Sequence, residues 1–284
     1  MFRSDLLAGK RILITGGGTG LGKSIGLRFV ALGAQLVICG RRKDVLEATA
    51  QEFKDSLGAT IETHVCDVRD AHAVEAMMDA IWQNGPLDVL LNNAAGNFLA
   101  RTERLSTRAF DAIVDIVLKG SAYCTMDVGR RWIASGHKGT VLQILTQSAM
   151  TGMPFTVPSA MAKAGALAMI RSLAVEWGPY GIRTVGVVPG PFPTEGAWSR
   201  LMPKERIGEA PIEQGVALRR MGEHHELADL CTYLISDSAG FITGEAVIID
   251  GGRWLQGAAG ASAYNMQQWP DSTWDSLKPK KTSA

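Results

Sequence analysis

The sequence predicts an α/β fold: a doubly wound parallel sheet of about seven strands with helices on both faces. Three observations predict it. Short apolar runs rich in Val, Ile and Leu recur near residues 11–15, 35–39, 60–66, 87–91, 140–145, 182–188 and 246–250. Longer stretches of helical character separate most of these runs, so consecutive strands need crossover connections and pair in parallel. A glycine cluster also stands where the first run gives way to a helical segment.

The first run, Arg11-Ile12-Leu13-Ile14-Thr15, leads into Gly16-Gly17-Gly18-Thr19-Gly20-Leu21-Gly22. Gly16, Gly20 and Gly22 give a GxxxGxG spacing. Glycine permits the tight turn, lets backbone N–H groups reach a pyrophosphate and allows the helix to lie close on the strand. With Thr19 and Leu21 inside it, this strand-turn-helix unit makes the sheet Rossmann-type and marks a dinucleotide site. The second run closes with Val37-Ile38-Cys39-Gly40-Arg41-Arg42. An NAD-binding chain usually offers an acid there to the ribose 2′-hydroxyl. Arg41 and Arg42 match a 2′-phosphate instead, because a guanidinium fork fits phosphate geometry, so NADP(H) is the expected cofactor. Cys66-Asp67-Val68 follows the third run, where Asp67 can accept a bond from the adenine amino group or cap a helix beginning near Asp70.

Beyond the fourth run lies Asn92-Asn93-Ala94-Ala95-Gly96, and Ala160 to Trp177 reads as an Ala-rich helix carrying Lys163. The sixth run ends at Pro189-Gly190. Residues 194–222, with Pro203, Pro211 and mixed charges, break the alternation and read as a substrate-loop insertion over the site's edge. The Gly/Ala-rich tail, 257–284, reads as a C-terminal extension. No repeat or linker divides the chain, so residues 1–284 are expected to form a single domain.

Lysine and arginine total 29 against 28 acids, which argues against a nucleic-acid face or a polybasic membrane patch. The partner class that remains is a small molecule. Four cysteines without a CxxC pair read as free thiols in a reducing compartment. Five histidines show no HxxxH spacing, so no metal is expected. No run approaches the ~18 apolar residues of a membrane span, and the strand at Arg11 leaves little room for a leader. The expectation is a cytoplasmic protein.

Taken together, TGGGTGLG, Cys66-Asp67-Val68, Asn92-Asn93-Ala94-Ala95-Gly96, Lys163 and Pro189-Gly190 resemble the short-chain dehydrogenase/reductase family over most of the chain. The resemblance implies that Asn93, Ala94 and Gly96 stand beside the adenine ribose. It places Asp67 and Val68 at the adenine, and Pro189, Gly190, Pro191 and Phe192 beside the nicotinamide. Within the family the chain is similar to the 2,4-dienoyl-CoA reductases. Asn92 through Asn97-Phe98, Thr102-Glu103-Arg104-Leu105-Ser106, Pro158 through Gly165, and Thr194 through Trp198-Ser199-Arg200-Leu201 carry that likeness. By this likeness Asn97 donates to the thioester oxygen, while Arg69, Phe98, Ser106, Ser159 and Arg200 contact an acyl-CoA. Fatty acid β-oxidation and a homotetramer paired through helices near 105–135 and 155–177 are implied in the same way.

The implied reaction is hydride transfer from NADPH to the far end of a conjugated dienoyl thioester, then protonation near the carbonyl. One group is missing from the pattern. Most of the family places a tyrosine four residues before the lysine, where this chain has Ser159. The dienoyl-CoA reductase branch also has serine there and carries its tyrosine fifteen residues before the lysine, where this chain has Ser148. A serine hydroxyl is far less acidic than a phenol near pKa ~10, so Ser148 can donate a hydrogen bond but does not readily give up its proton. Thr146, aligned with the family's usual catalytic serine, is a second hydroxyl. Three readings follow: a reductase in which water protonates the dienolate, a slow or respecialised reductase such as a carbonyl reductase, and an NADPH-binding protein with little chemistry.

Overall fold

The computed structural model describes residues 2–194, 211–256 and 270–276. Seven strands form one sheet: β1 (Arg11–Thr15), β2 (Gln35–Gly40), β3 (Glu62–Val65), β4 (Val89–Asn92), β5 (Thr140–Ile144), β6 (Arg183–Pro189) and β7 (Ala246–Ile249). Their order is β3-β2-β1-β4-β5-β6-β7, and every neighbouring pair is parallel. The chain winds outward in one direction from β1, then in the other from β4. The crevice between β1 and β4 is therefore the topological switch point, where open α/β sheets bind ligands beyond the strands' carboxyl ends.

Helices α1 (Gly20–Ala31), α2 (Lys43–Leu57), α3 (Ala71–Gln83), α4 (Thr107–Val114), α5 (Gly120–Ser135), α6 (Ser148–Thr151), α7 (Val157–Trp177) and α8 (His224–Ile235) alternate with the strands. A short helix, Asp271–Ser276, lies near the end. Every residue of β1, β4 and β5 is buried. Burial on both faces of a parallel strand produces the near-continuous apolar runs of the sequence. Successive side chains still part company: Ile12 and Ile14 join a core with Ile25, Phe29, Phe53, Leu227 and Leu234, whereas Leu13 joins Met78, Ile81, Val128, Trp132 and Trp177 on the opposite face. Asp115–Lys119 links α4 to α5 through wider π-helical turns.

Arg11 is 7% exposed. It donates to the carbonyls of Ile81, at 2.7 Å, and Gly85, and pairs with Glu62, which also bonds His64. A buried guanidinium without such partners is very costly. All four cysteines are free and buried: Cys39, Cys66 and Cys124 lie in one core and Cys231 in the other. Burial pushes their thiols up, that of Cys66 to about 11. Among the described residues no helix is long and apolar enough to cross a membrane.

Candidate active site at the carboxyl edge of the sheet

The glycine turn is held from beneath by β4. The Thr15 hydroxyl oxygen accepts the backbone N–H groups of Asn93 and Ala94, both at 3.0 Å. In return Asn93 Nδ2 donates to the carbonyls of Thr15 at 2.9 Å and Gly16 at 3.2 Å. Gly16 sits at φ +66°, in the left-handed region. At Gly22 an added Cβ would come within 2.5 Å of Asn93 Nδ2 and 2.7 Å of the Gly16 carbonyl oxygen. These glycines are therefore fixed by backbone geometry and close approach. Asn93, which the resemblance puts beside a ribose, has its amide committed to bracing the turn.

Above that turn, α1 begins with no acidic residue in its first turn, and Thr19 makes no side-chain capping bond. Its uncapped N–H groups and positive dipole end form an anion site. Leu21 packs against the core beneath. Arg41 and Arg42 are exposed at the end of β2. Arg42 forms no ion pair among the described residues, so its guanidinium stands uncommitted at the carboxyl end of β2. The residues present thus fit a phosphorylated dinucleotide.

Asp67 lies farther along the same edge. Its carboxylate accepts from the Arg69 backbone N–H at 3.1 Å and from the Arg69 guanidinium at 2.9, 3.0 and 2.5 Å. These bonds hold Asp67 below the ordinary carboxylate range, against the opposing effect of partial burial, and Arg41 adds to the shift. The helix cap is Asp70, whose side chain accepts from His72 and Ala73. Arg69 is forked onto Asp67, so an acyl-CoA could recruit it only by opening that pair. Val68 is buried beneath.

After β4 the chain passes Gly96, which packs near Ile113 and Ile116, and reaches Asn97. Asn97 Oδ1 accepts the backbone N–H of Phe98 at 2.9 Å. A backbone N–H can only donate, so this contact fixes which amide atom is oxygen and leaves Nδ2 with its hydrogens uncommitted. Phe98 packs against Ile113, Val117 and Ala162, and Ser106 caps α4 by accepting the Ala109 N–H at 3.2 Å. Both are placed by packing and capping. Arg200 lies outside the described residues.

β5 delivers Thr146 and Ser148, both half-buried, to a turn that opens α6. Lys163, on α7, is only 5% exposed, and its ammonium donates to the Ile144 carbonyl at the end of β5. Burial alone pushes it down to about 8. Ser159 stands one turn earlier on the same helix, 6% exposed. Pro189 ends β6, and the Gly190 backbone lies so close to Asp250 that a Cβ there would meet Asp250 Cβ at 2.6 Å. Pro191 accepts the Gly222 N–H at 3.0 Å, and Phe192 is buried against Gly222.

Two contacts had no counterpart in the sequence reading. Gln147 Nε2 donates to Asp250, which also accepts from Gly252 at 2.8 Å and Trp254 at 2.7 Å. This ties the Ser148 turn to the end of β7. His224 bonds Ser24 and the Pro193 carbonyl. Gln147 with Asp250 and His224 with Ser24 join residues 103 and 200 positions apart, and no local motif announces either.

A glycine turn under a helix N-terminus, a buried lysine at the end of β5 and a Pro-Gly turn after β6, gathered at one sheet edge, define a nicotinamide-dependent oxidoreductase. A family model described as enoyl-(acyl carrier protein) reductase matches residues 16–253, and the chain belongs to the short-chain dehydrogenase/reductase family. It is 40% identical over 284 residues to a Caenorhabditis elegans protein named "probable 2,4-dienoyl-CoA reductase 3 [(3E)-enoyl-CoA-producing]", covering 98% of this chain and 91% of that one. Among solved structures, a short chain dehydrogenase from Bacillus anthracis is similar at 37% identity and a TM-score of 0.77, over 92% of this chain and 98% of that one. A gluconate 5-dehydrogenase from Burkholderia cenocepacia, solved with NADP and tartrate, matches at 27% identity and a TM-score of 0.81, over 88% and 97% of the two chains.

Proposed function

We propose that this oxidoreductase uses NADPH to reduce 2,4-dienoyl thioesters of coenzyme A to enoyl thioesters. The observation that carries the reading is the uncommitted Asn97 amide, fixed by Phe98 in the segment that follows β4, while Lys163 bonds the end of the neighbouring strand β5. The dienoyl-CoA reductase name of the Caenorhabditis elegans relative supports the substrate class. Arg42 and Arg41, with no acid at the end of β2, support NADP(H) over NAD(H).

When bound, the nicotinamide supplies the hydride. Gly16, Thr19, Gly20, Leu21 and Gly22 hold its pyrophosphate against the start of α1; Asp67, Val68, Asn93, Ala94 and Gly96 border the adenosine half, and Pro189 to Phe192 the nicotinamide half. Lys163 would hold the hydroxyls of the nicotinamide ribose and keep positive charge in the site. Asn97 Nδ2 donates to the thioester oxygen as negative charge builds on it, and a preorganised donor of this kind typically contributes ~3 kcal/mol. Hydride at the terminal carbon of the diene and a proton at the carbon next to the carbonyl leave the double bond between them, a 3-enoyl product.

The proton source is where the chain departs from the branch it resembles: Ser159 matches the serine of that branch, whereas Ser148 stands where the branch carries its tyrosine. Ser148 and Thr146 orient a water that protonates the dienolate, which is basic enough to take a proton from it. A carbonyl substrate forms an alkoxide that must be protonated as it appears, so ketones and 3-oxoacyl thioesters are poor substrates on this reading. Leu99, Met150, Met153, Phe155 and Met161 expose apolar surface near the site and suit an acyl chain. Four free thiols fit a reducing, cytoplasmic setting, and the apolar surface left on the helices supports a homotetramer.

The test is NADPH fluorescence loss with a panel of 2,4-dienoyl-CoA, 2-enoyl-CoA and 3-oxoacyl-CoA substrates. Turnover confined to the dienoyl thioesters is expected. Turnover on 3-oxoacyl thioesters alone would replace the reading with a carbonyl reductase, and tight cofactor binding without turnover would leave a binding protein.

A further inference from the structure

His224, the first residue of α8, touches neither the glycine turn nor the lysine, yet it is wired to both sides of the crevice. Its Nε2 lies 2.6 Å from the Pro193 carbonyl oxygen, in the loop that follows β6. Its Nδ1 lies 2.7 Å from the hydroxyl of Ser24, in the first turns of α1. A carbonyl only accepts, so Nε2 carries hydrogen, and in the neutral ring Nδ1 accepts from Ser24. The same Ser24 hydroxyl is 3.2 Å from the carbonyl of Gly20, the residue that opens α1 at φ +54°. Thr194, next to Pro193, lies close to Gly20: an added Cβ there would find Thr194 Cγ2 at 3.5 Å. Pro191 is pinned to Gly222, two residues before His224.

We propose that His224 is a positioning residue that latches the loop Gly190–Thr194 to the N-terminus of α1, so that the nicotinamide side and the phosphate side of the cofactor cradle form one rigid unit. The proposal rests on the cofactor reading above, which puts the loop at the nicotinamide half and α1 at the pyrophosphate. Without the latch the loop must be ordered by the ligand, and that ordering subtracts from affinity. The adenosine half lies on α1 and β2 and does not need the loop. Loss of the latch therefore weakens the whole dinucleotide and spares its adenosine fragment.

The experiment compares His224→Leu, which removes both bonds, with His224→Gln, which can donate to Pro193 and accept from Ser24. Dissociation constants are measured by fluorescence for NADPH or NADH, whichever the wild type binds more tightly, and by calorimetry for the matching fragment, 2′,5′-ADP or AMP. Choosing the dinucleotide in this way keeps an error over the 2′-phosphate separate from a failure of the latch. His224→Leu is expected to raise the dinucleotide constant about tenfold with the fragment constant within twofold, and His224→Gln to return it to within about threefold of wild type. Ser24→Ala, a smaller change, serves if His224→Leu does not fold, with an expected rise of about threefold. An unchanged dinucleotide constant in His224→Leu, or in Ser24→Ala where His224→Leu does not fold, or equal losses for dinucleotide and fragment, would overturn the proposal.

Discussion

At the scale of single residues, the chemistry turns on how few groups stand where a proton must arrive. If Ser148 marks a lost donor, Ser148→Tyr should raise kcat on a dienoyl-CoA by about 10². An unchanged kcat would assign protonation to a water held elsewhere. Lys163 makes a second prediction whose two consequences run in opposite directions. Burial lowers its folded pKa to about 8, from 10.5. The ammonium is then present below about pH 8 and lost above it, so kcat should fall as pH rises from 7 to 9, and Lys163→Met should remove that limb. Stability moves the other way. Between about 8 and 10.5 the unfolded chain holds a proton that the folded chain has released, so unfolding free energy should rise with pH in that window. At Arg42, which forms no ion pair among the described residues, replacement by alanine should weaken NADPH relative to NADH about tenfold and leave thermal stability unchanged.

At the scale of elements, the strand-turn-helix unit of β1 and α1 is held by β4 through Thr15 and Asn93. Gly22→Ala should push against Asn93 and the Gly16 carbonyl, which have no room to give. The expected result is a cofactor dissociation constant raised at least tenfold with far-ultraviolet circular dichroism unchanged. Much of this unit was legible in the sequence, because the constraint is local: glycine spacing, a preceding apolar strand and a following helix all lie within about twenty residues. The run at 60–66 yielded only a four-residue strand, Glu62–Val65. β3 is the edge of the sheet and pairs with β2 alone. Lys163 was assigned to the site from its motif, but its burial was not legible, since that depends on β5 bringing the Ile144 carbonyl to it. Gln147 with Asp250, and His224 with Ser24, were invisible for the same reason: one tertiary contact leaves no period in the chain.

At the scale of the whole molecule, the doubly wound class was legible because parallel strands buried on both faces read as near-continuous apolar runs. The partner of Arg11 was not. Glu62 is pulled below its usual range by its bonds to His64 and Arg11, which outweigh the penalty of burial. A carboxylate with a lowered folded pKa stabilises the fold above its unfolded value of 4.5, and that contribution disappears as pH falls through the folded value. Glu62→Gln should therefore lower the melting temperature at pH 7, by a margin that shrinks as the buffer is taken below pH 4. Thermal melts across that range check the sign. Sedimentation of the intact chain should give a tetramer if the exposed apolar residues of α5 and α7, such as Met126 and Val175, are covered by other copies.

The four buried thiols also make the molecule its own clock. Each is shut inside a core and held in its unreactive protonated form, so a thiol reagent meets a sulfur only when the surrounding structure parts. Three report on the face built from α3 and α5, and Cys231 reports on the face built from α1 and α8. Mass spectrometry of the labelling order, with and without cofactor, would time the opening of each half of the sandwich separately, with no probe added to the chain.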